Sequence, residues 1–293
     1  MRTRHGDLVG HNVIMTSPTG ETTSLQRTYR YLRLGLAGTV VLIFVSVAVA
    51  IPVVGLLPSI SHYFYTPARN GFVGALFAGC LALLALSGRH AEPVLLDAAA
   101  LVAPLIAIIP TEIAPGSVPG LADRCVDACV PGAFWPSINN GIATYLIVGT
   151  LAVIVAIALP GFRRIIPGGL IAIAVLAVVA VTWGFFFDAF VAYGHLIATV
   201  VFFGLIAAVS VVNAVGRRED EFPPTRPFRI SYIVLAVLMV LDLGVLIPST
   251  VFGGGAAWGV LIGEVFALAL FLIFWLLQTA QKWDDPDPSL RAG

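Results

Sequence analysis

The chain has 293 residues, 59% of them hydrophobic and 11% charged, and its 16 basic residues balance its 16 acidic ones. A mean hydropathy of +0.98 excludes an ordinary water-soluble domain. The net charge of zero indicates nothing about partners, and the basic residues of the predicted inner loops are typical of membrane-topology signals rather than of a nucleic-acid surface. Apolar runs of about 20 residues, enough to cross roughly 30 Å of hydrocarbon as helix, predict an all-α polytopic membrane helix bundle rather than a barrel.

Eight predicted spans lie between two polar ends. A cytosolic N-terminal segment, partly disordered, is predicted over residues 1–33, an eight-span membrane domain over 34–279 and a cytosolic tail over 280–293. The predicted spans are 34–57, 71–86, 93–110, 142–159, 166–187, 189–215, 230–247 and 258–278.

The longest connection, residues 111–139, is rich in proline and glycine and contains Cys125 and Cys129. On the outer face of a bacterial membrane these two cysteines meet oxidising conditions, so a disulfide between them is predicted.

Basic residues predict the orientation, because short cytosolic loops retain Lys and Arg. With the N-terminus inside, Arg69 and Arg124 are the only two of the 16 Lys and Arg residues that fall on the outer side. We therefore predict a bacterial plasma-membrane protein with both termini in the cytoplasm. Membrane lipids are its expected partners and a membrane-protein partner stays open, whereas no nucleic-acid partner is expected.

Three ionisable residues lie at a similar predicted depth. His195 lies seven residues after Asp188, Asp242 six residues before Pro248 and Glu264 six residues after Trp258. Each is therefore roughly 9–10 Å below the predicted outer boundary at about 1.5 Å per residue. Charged groups at this depth cost at least a few kcal/mol unless they are paired or hydrated. We predict that they line one outward-facing polar cavity and bind a ligand or relay protons, with these candidates at its mouth: His62, Arg69, Glu112 and Asp188. Alternatively, each bonds separately to its neighbours and only fixes helix packing.

The histidines do not indicate a metal or haem site. No HExxH pattern is present, and the five histidines are scattered along the chain. The sequence therefore predicts neither a metal site nor a cofactor.

Residues 59–74, SISHYFYTPARNGFVG, form an aromatic, polar junction between the first two predicted spans. This junction resembles an uncharacterised family of bacterial multispan membrane proteins in which it reads roughly S-x-S-x-Y-x-Y-T-x-x-R-[DN]-x-F-V-G. The matching residues are Ser59, Ser61, Tyr63, Tyr65, Thr66, Arg69, Asn70, Phe72, Val73 and Gly74. Phe64 departs from the Tyr or His expected at its position. The resemblance implies a multispan membrane protein and carries no activity.

Three functions fit these features. The first is a transporter or a lipid- or small-molecule-binding accessory protein, in which Arg69 attracts the anionic group of an amphipathic or ionic molecule. The second is an intramembrane hydrolase or transferase that acts on a lipid through the same polar layer. The third is a structural subunit of a larger membrane complex. The sequence does not decide whether the protein is an enzyme.

Overall fold

The computed structural model is all-helical and describes residues 24–86, 91–121, 125–158, 166–216, 224–251 and 258–283. Its eight long helices within these ranges are α1 (Ser24–Val54), α2 (Arg69–Ala85), α3 (Ala91–Ile108), α4 (Trp135–Ala158), α5 (Ile166–Phe185), α6 (Phe187–Val215), α7 (Arg226–Val251) and α8 (Gly259–Gln281).

Each long helix coincides with one predicted span, and the largest differences lie at the helix ends. Helix α1 begins at Ser24, inside the predicted polar segment, and α4 begins at Trp135, inside the predicted 111–139 connection. Helix α7 begins at Arg226 and continues through Pro248 to Val251. Residues 1–23 of the predicted cytosolic segment, residues 284–293 of the predicted tail and the predicted outer cation Arg124 lie outside the described residues.

Length and hydropathy define a multi-pass integral membrane protein. Within the described ranges, six helices are long and apolar enough to cross a bilayer, and two further apolar helices, Arg69–Ala85 and Val94–Ile108, are shorter. Helix α2 has 17 residues and is therefore about 26 Å long at about 1.5 Å per residue, slightly less than the roughly 30 Å of hydrocarbon.

Six of the helices form a closed ring. Going around it, each helix packs against the next in the order α1, α2, α3, α6, α7, α8 and back to α1. Some neighbours approach closely through glycine: a Cβ added to Gly71 would lie 2.7 Å from Cβ of Ser46 on α1, and one added to Gly263 would lie 2.8 Å from Cδ1 of Leu246 on α7. Small residues let membrane helices pack at short distance.

Helices α4 and α5 form a hairpin outside the ring. They pack on each other and, less extensively, on α3 and α6. Much of the side-chain surface of both helices is exposed, for example at Leu151 and Val178. In a bilayer such apolar surface contacts lipid tails, so this hairpin needs no protein cover.

Contacts between helix ends show that ring neighbours run antiparallel. His195, near the start of α6, contacts Ile109 just after the end of α3, whereas Asn213, near the end of α6, contacts Glu92 at the start of α3. The ring therefore has two distinct ends. We call the end that holds residues 59–66 the junction end and the opposite end the Glu92 end.

Candidate functional site

The connection between α1 and α2 folds across the junction end of the ring. Helix α1 ends at Val54, and Gly55 follows with φ +81°, a left-handed conformation that suits glycine after a helix. A 3₁₀ helix, Ser61–Tyr65, then forms; we call it the junction helix. The buried Tyr63 donates its hydroxyl hydrogen to the Gly55 carbonyl at 3.1 Å and accepts from the Leu57 amide at 3.2 Å, so the junction helix is hydrogen-bonded to the segment that follows α1.

Glu264 on α8 binds the start of the junction helix. The Ser61 hydroxyl donates to Oε1 of Glu264 at 2.7 Å, and the Ser61 amide donates to Oε2 at 3.2 Å. The Ser59 side chain and the Ile60 backbone are further hydrogen-bond partners of this carboxylate. A carboxylate at the beginning of a helix satisfies amides that have no partner within the helix.

His195 joins the same group from α6. Its Nε2 lies 2.9 Å from the Ser61 hydroxyl oxygen, and its Nδ1 lies 2.7 Å from the carbonyl oxygen of Ile109. Because a carbonyl only accepts hydrogen bonds, Nδ1 carries a hydrogen and donates it. Glu264, Ser61 and His195 thus form one continuous hydrogen-bonded group, which we call the junction triad.

An apolar cavity lies inside the ring, next to the junction triad. It contains about 820 Å³ of space that protein atoms do not fill, part of it open to the surroundings. All six ring helices contribute to its wall, with apolar residues that include Val40, Phe72, Leu83, Ile106, Phe203 and Phe271. Its polar lining residues are Thr39, Ser61, Thr199 and Glu264. The cavity is therefore apolar along most of its wall and polar at its junction end, in contrast to the polar cavity predicted from the sequence.

Arg69 lies in an aromatic cluster above the junction helix. Its guanidinium carbon is 4.3 Å from the ring centre of Phe64 and 5.8 Å from that of Phe134, both cation–π distances. The Tyr65 ring packs edge-on against Phe134 at 4.9 Å, and its hydroxyl donates to the Thr111 carbonyl at 2.6 Å. These contacts hold the loop between α3 and α4 over the junction end, and among the described residues Arg69 has no acidic side chain within ion-pair distance.

The same loop contains a disulfide between Cys125 and Cys129, whose Cα atoms are 5.8 Å apart. Ile113 and Cys129 also exchange two backbone hydrogen bonds, at 2.9 and 3.1 Å. The loop is therefore cross-linked where it returns toward α4.

The remaining predicted site residues lie outside the junction triad. Asp242 on α7 faces α8, with Oδ1 3.6 Å from the position of a Cβ at Gly263, and its buried Oδ2 has no hydrogen-bond partner among the described residues. Asp188 is exposed in the first turn of α6. Glu112 is half-buried in the loop after α3, where burial raises the pKa of its carboxyl.

His62 lies beside the triad, on the junction helix. Burial, together with the nearby His195, lowers the pKa of His62 to about 4. In the unfolded chain this histidine has a pKa near 6.5, whereas in the folded protein it binds a proton only near pH 4. Between these two values only the unfolded state gains the proton, so His62 lowers the free energy of unfolding as the pH falls from about 6.5 to about 4.

We expect the His62→Asn variant to lose part of the acid sensitivity of the wild-type protein. From His62 alone, the wild type should have a free energy of unfolding about 2 kcal/mol lower at pH 5 than at pH 7.5. Unfolding curves of both proteins at the two pH values measure this difference. An equal loss of stability in both would contradict the account of His62.

The Glu92 end carries a second polar group, which the sequence did not reveal. Asn213 and Gln278 donate to Oε1 of Glu92 at 3.0 and 2.7 Å, and Nζ of Lys282 lies 3.2 Å from Oε2. Asn213 and Gln278 are buried. The sequence feature that could have predicted this cluster is a neutral polar residue near the end of each of two apolar helices, α6 and α8. This cluster ties α3, α6 and α8 together.

The arrangement defines a class: a multi-pass membrane protein with an internal apolar cavity that ends at a partly buried carboxylate, a buried serine and a buried histidine. Within the described ranges, no three His, Cys, Asp or Glu side chains are grouped so as to hold a metal ion. No protein-family model, curated protein or solved structure matches the chain significantly.

Proposed function

We propose that the protein binds an amphiphile inside the helix ring, as a transporter or as a lipid-binding accessory protein. The apolar chain of the ligand lies in the cavity and reaches Ser61 and Glu264, and its polar head lies beyond them at the junction end. The cavity enclosed by the six ring helices is the observation that carries this proposal.

The dimensions of the cavity support a lipid chain as its occupant. Lining residues extend along α2 from Phe72 to Leu83, a distance of about 16 Å at about 1.5 Å per residue. This matches roughly half of the ~30 Å hydrocarbon thickness, the depth of one leaflet. Thr199 also lines the cavity, and its buried hydroxyl has no hydrogen-bond partner among the described residues.

Filling the cavity should displace this ligand. Ala267 is buried and lines the cavity, whereas Val265 on the same helix is 39% exposed. We expect Ala267→Phe to lose most of the lipid that co-purifies with the wild type, because the added ring occupies the chain's space, while Val265→Phe retains it. Native mass spectrometry of the three proteins measures the bound lipid. Equal lipid content in all three would contradict the proposal and favour the structural-subunit alternative.

The Ser61–His195 contact favours a lipid hydrolase or transferase as the second candidate. A serine hydroxyl 2.9 Å from an imidazole whose other nitrogen is held by a carbonyl has the arrangement of an activated nucleophile. One contact argues against this candidate. The Ser61 amide, which would have to donate to an oxyanion, already donates to the Glu264 carboxylate. Fluorophosphonate labelling that is lost in Ser61→Ala would support this candidate, and an unlabelled wild-type protein would argue against it.

We also propose that all eight helices span a bacterial plasma membrane, with both termini in the cytoplasm and the junction end outside. The distribution of Lys and Arg supports this orientation. Single cysteines that replace Ser117 and Thr225 in a Cys80→Ser background should react with an impermeant maleimide from the outer and inner side, respectively. The reverse pattern would contradict the orientation.

A further inference from the structure

The hydrogen bonds that the junction triad can form depend on how many protons its three side chains hold. Ser61 has one hydroxyl hydrogen, yet both Glu264 Oε1 and His195 Nε2 lie within 3 Å of its oxygen, at 2.7 and 2.9 Å. With Nδ1 of His195 donating to Ile109, a neutral imidazole has no hydrogen on Nε2. An ionised Glu264 beside a neutral His195 would therefore leave one of these two contacts without a hydrogen.

One additional proton satisfies both contacts in either of two ways. If it is on Nε2 of His195, the imidazolium donates to Ser61 and Ser61 donates to the Glu264 carboxylate. If it is on Glu264, the carboxylic acid donates to Ser61 and Ser61 donates to the neutral imidazole. Both states have no net charge, and they differ in whether His195 or Glu264 holds the additional proton.

Only part of the junction triad lines the cavity. Glu264 and Ser61 line it, whereas His195 lies behind them and is not among the lining residues. A chain that packs against Glu264 removes water from that carboxylate, and a desolvated carboxylate is much less favourable than a neutral acid. An apolar occupant therefore favours the state in which Glu264 holds the proton.

We propose that amphiphile binding in the cavity moves one proton from His195 to Glu264 through the Ser61 hydroxyl, so that ligand binding is linked to the position of this proton. In this step the Ser61 O–H bond breaks as a new O–H bond forms on Glu264. The Nε2–H bond of His195 breaks at the same time and restores the Ser61 hydroxyl. No proton leaves the triad and no other reactant is needed. This inference rests on the proposed binding function.

Two other ionisable side chains lie near the triad on the described elements around it. His62 lies on the junction helix near His195, and Asp242 projects from α7 toward Gly263, next to Glu264 in the chain. From α3, His195 meets the backbone of Ile106 and Ile109. The pH for the measurement should therefore lie well above 4, where His62 stays neutral.

Nitrogen-15 NMR of the histidines can detect the transfer. The full-length protein is delipidated in amphipol at pH 7.5 and compared with and without lysophosphatidylcholine, a single-chain probe whose charge does not change at this pH; His195→Asn assigns the signal. We expect the probe to remove the Nε2 hydrogen of His195 while Nδ1 stays protonated. In Ser61→Ala, which lacks the bridging hydroxyl, bound probe should leave the His195 signal unchanged.

A binding measurement provides an independent readout. The Gln amide in Glu264→Gln can donate to Ser61 as a protonated Glu264 would, so this variant imitates the ligand-bound state. We expect it to bind lysophosphatidylcholine about fivefold more tightly than the wild type, the lower end of typical coupling between linked sites.

The outcomes separate this inference from the proposed function. Wild-type protein that binds the probe in the cavity with no change at His195, or Glu264→Gln protein that binds it no more tightly, would overturn the proton linkage and leave the binding function standing. A wild-type protein that binds no probe, or Ala267→Phe protein that binds it equally well, would overturn both.

Discussion

Lys282→Met should lower the free energy of unfolding by about 2–3 kcal/mol. Lys282 neutralises the Glu92 carboxylate at 3.2 Å, and both side chains are largely enclosed, with exposures of 20% and 24%. Removing one partner of a fully buried pair costs about 3–5 kcal/mol, because the remaining charge is left uncompensated. The partial exposure of this pair and the nearby Arg33 reduce that figure. Unfolding of the purified protein by denaturant in detergent measures the change.

The double variant Glu92→Gln/Lys282→Met distinguishes a lost charge pair from lost packing. With the carboxylate gone, the Lys282→Met change should cost less than about 1 kcal/mol, so the two substitutions should show a clear coupling energy in a double-mutant cycle. Arg226→Met, at an exposed position on α7, is the matched control and should stay within about 0.5 kcal/mol of the wild type. Equal costs for Lys282→Met with and without Glu92 would show that the pair contributes nothing.

Glu264→Leu should destabilise the protein by about 3 kcal/mol and loosen the junction helix. Leucine cannot accept the hydrogen bonds that the Ser61 amide and its neighbours give to the carboxylate, and each buried donor left unpaired costs about 1–3 kcal/mol. Glu264→Gln keeps one carbonyl acceptor and should lose less than half as much stability. Thermal unfolding, with hydrogen exchange of residues 59–66, measures both effects.

Val265→Leu is the control for this substitution, because the side chain at that position is 39% exposed and should contribute little to stability. If Glu264→Leu fails to accumulate, the comparison between Glu264→Gln and Ser61→Ala still tests the contact through hydrogen exchange. Unchanged exchange at residues 59–66 in both variants would contradict the role assigned to Glu264.

The sequence predicted the helices well because hydropathy reports membrane burial directly. All eight apolar runs are helices, and the errors lie at their ends, for example at Ser24, Trp135 and Val251, where regular helix extends beyond the predicted limits. The ring could not be predicted, since a helix that faces lipid is as apolar as one that faces protein. Nothing in the composition of α4 and α5 therefore indicated that they would lie outside it.

The candidate site was predicted in part, because depth along a helix can be counted but rotation about its axis cannot. His195 and Glu264 meet through Ser61, whereas Asp242 faces Gly263 on α8. Ser61 belongs to the recognised junction pattern, yet as a neutral residue it was not singled out. Asn213 and Gln278 were not predicted either, because a neutral amide carries no charge that distinguishes it in an apolar helix. The ligand-binding role of these positions stays a prediction.

Photo-crosslinking tests most directly whether a lipid chain occupies the ring. The wild-type protein is reconstituted with a phospholipid that carries a diazirine on its acyl chain, irradiated, digested and examined by mass spectrometry. We predict labelling of cavity residues such as Leu83, Phe203 and Phe271, reduced in Ala267→Phe. Labels confined to lipid-facing residues such as Leu151, Val178 and Ile262 would contradict the proposal that the cavity binds an amphiphile.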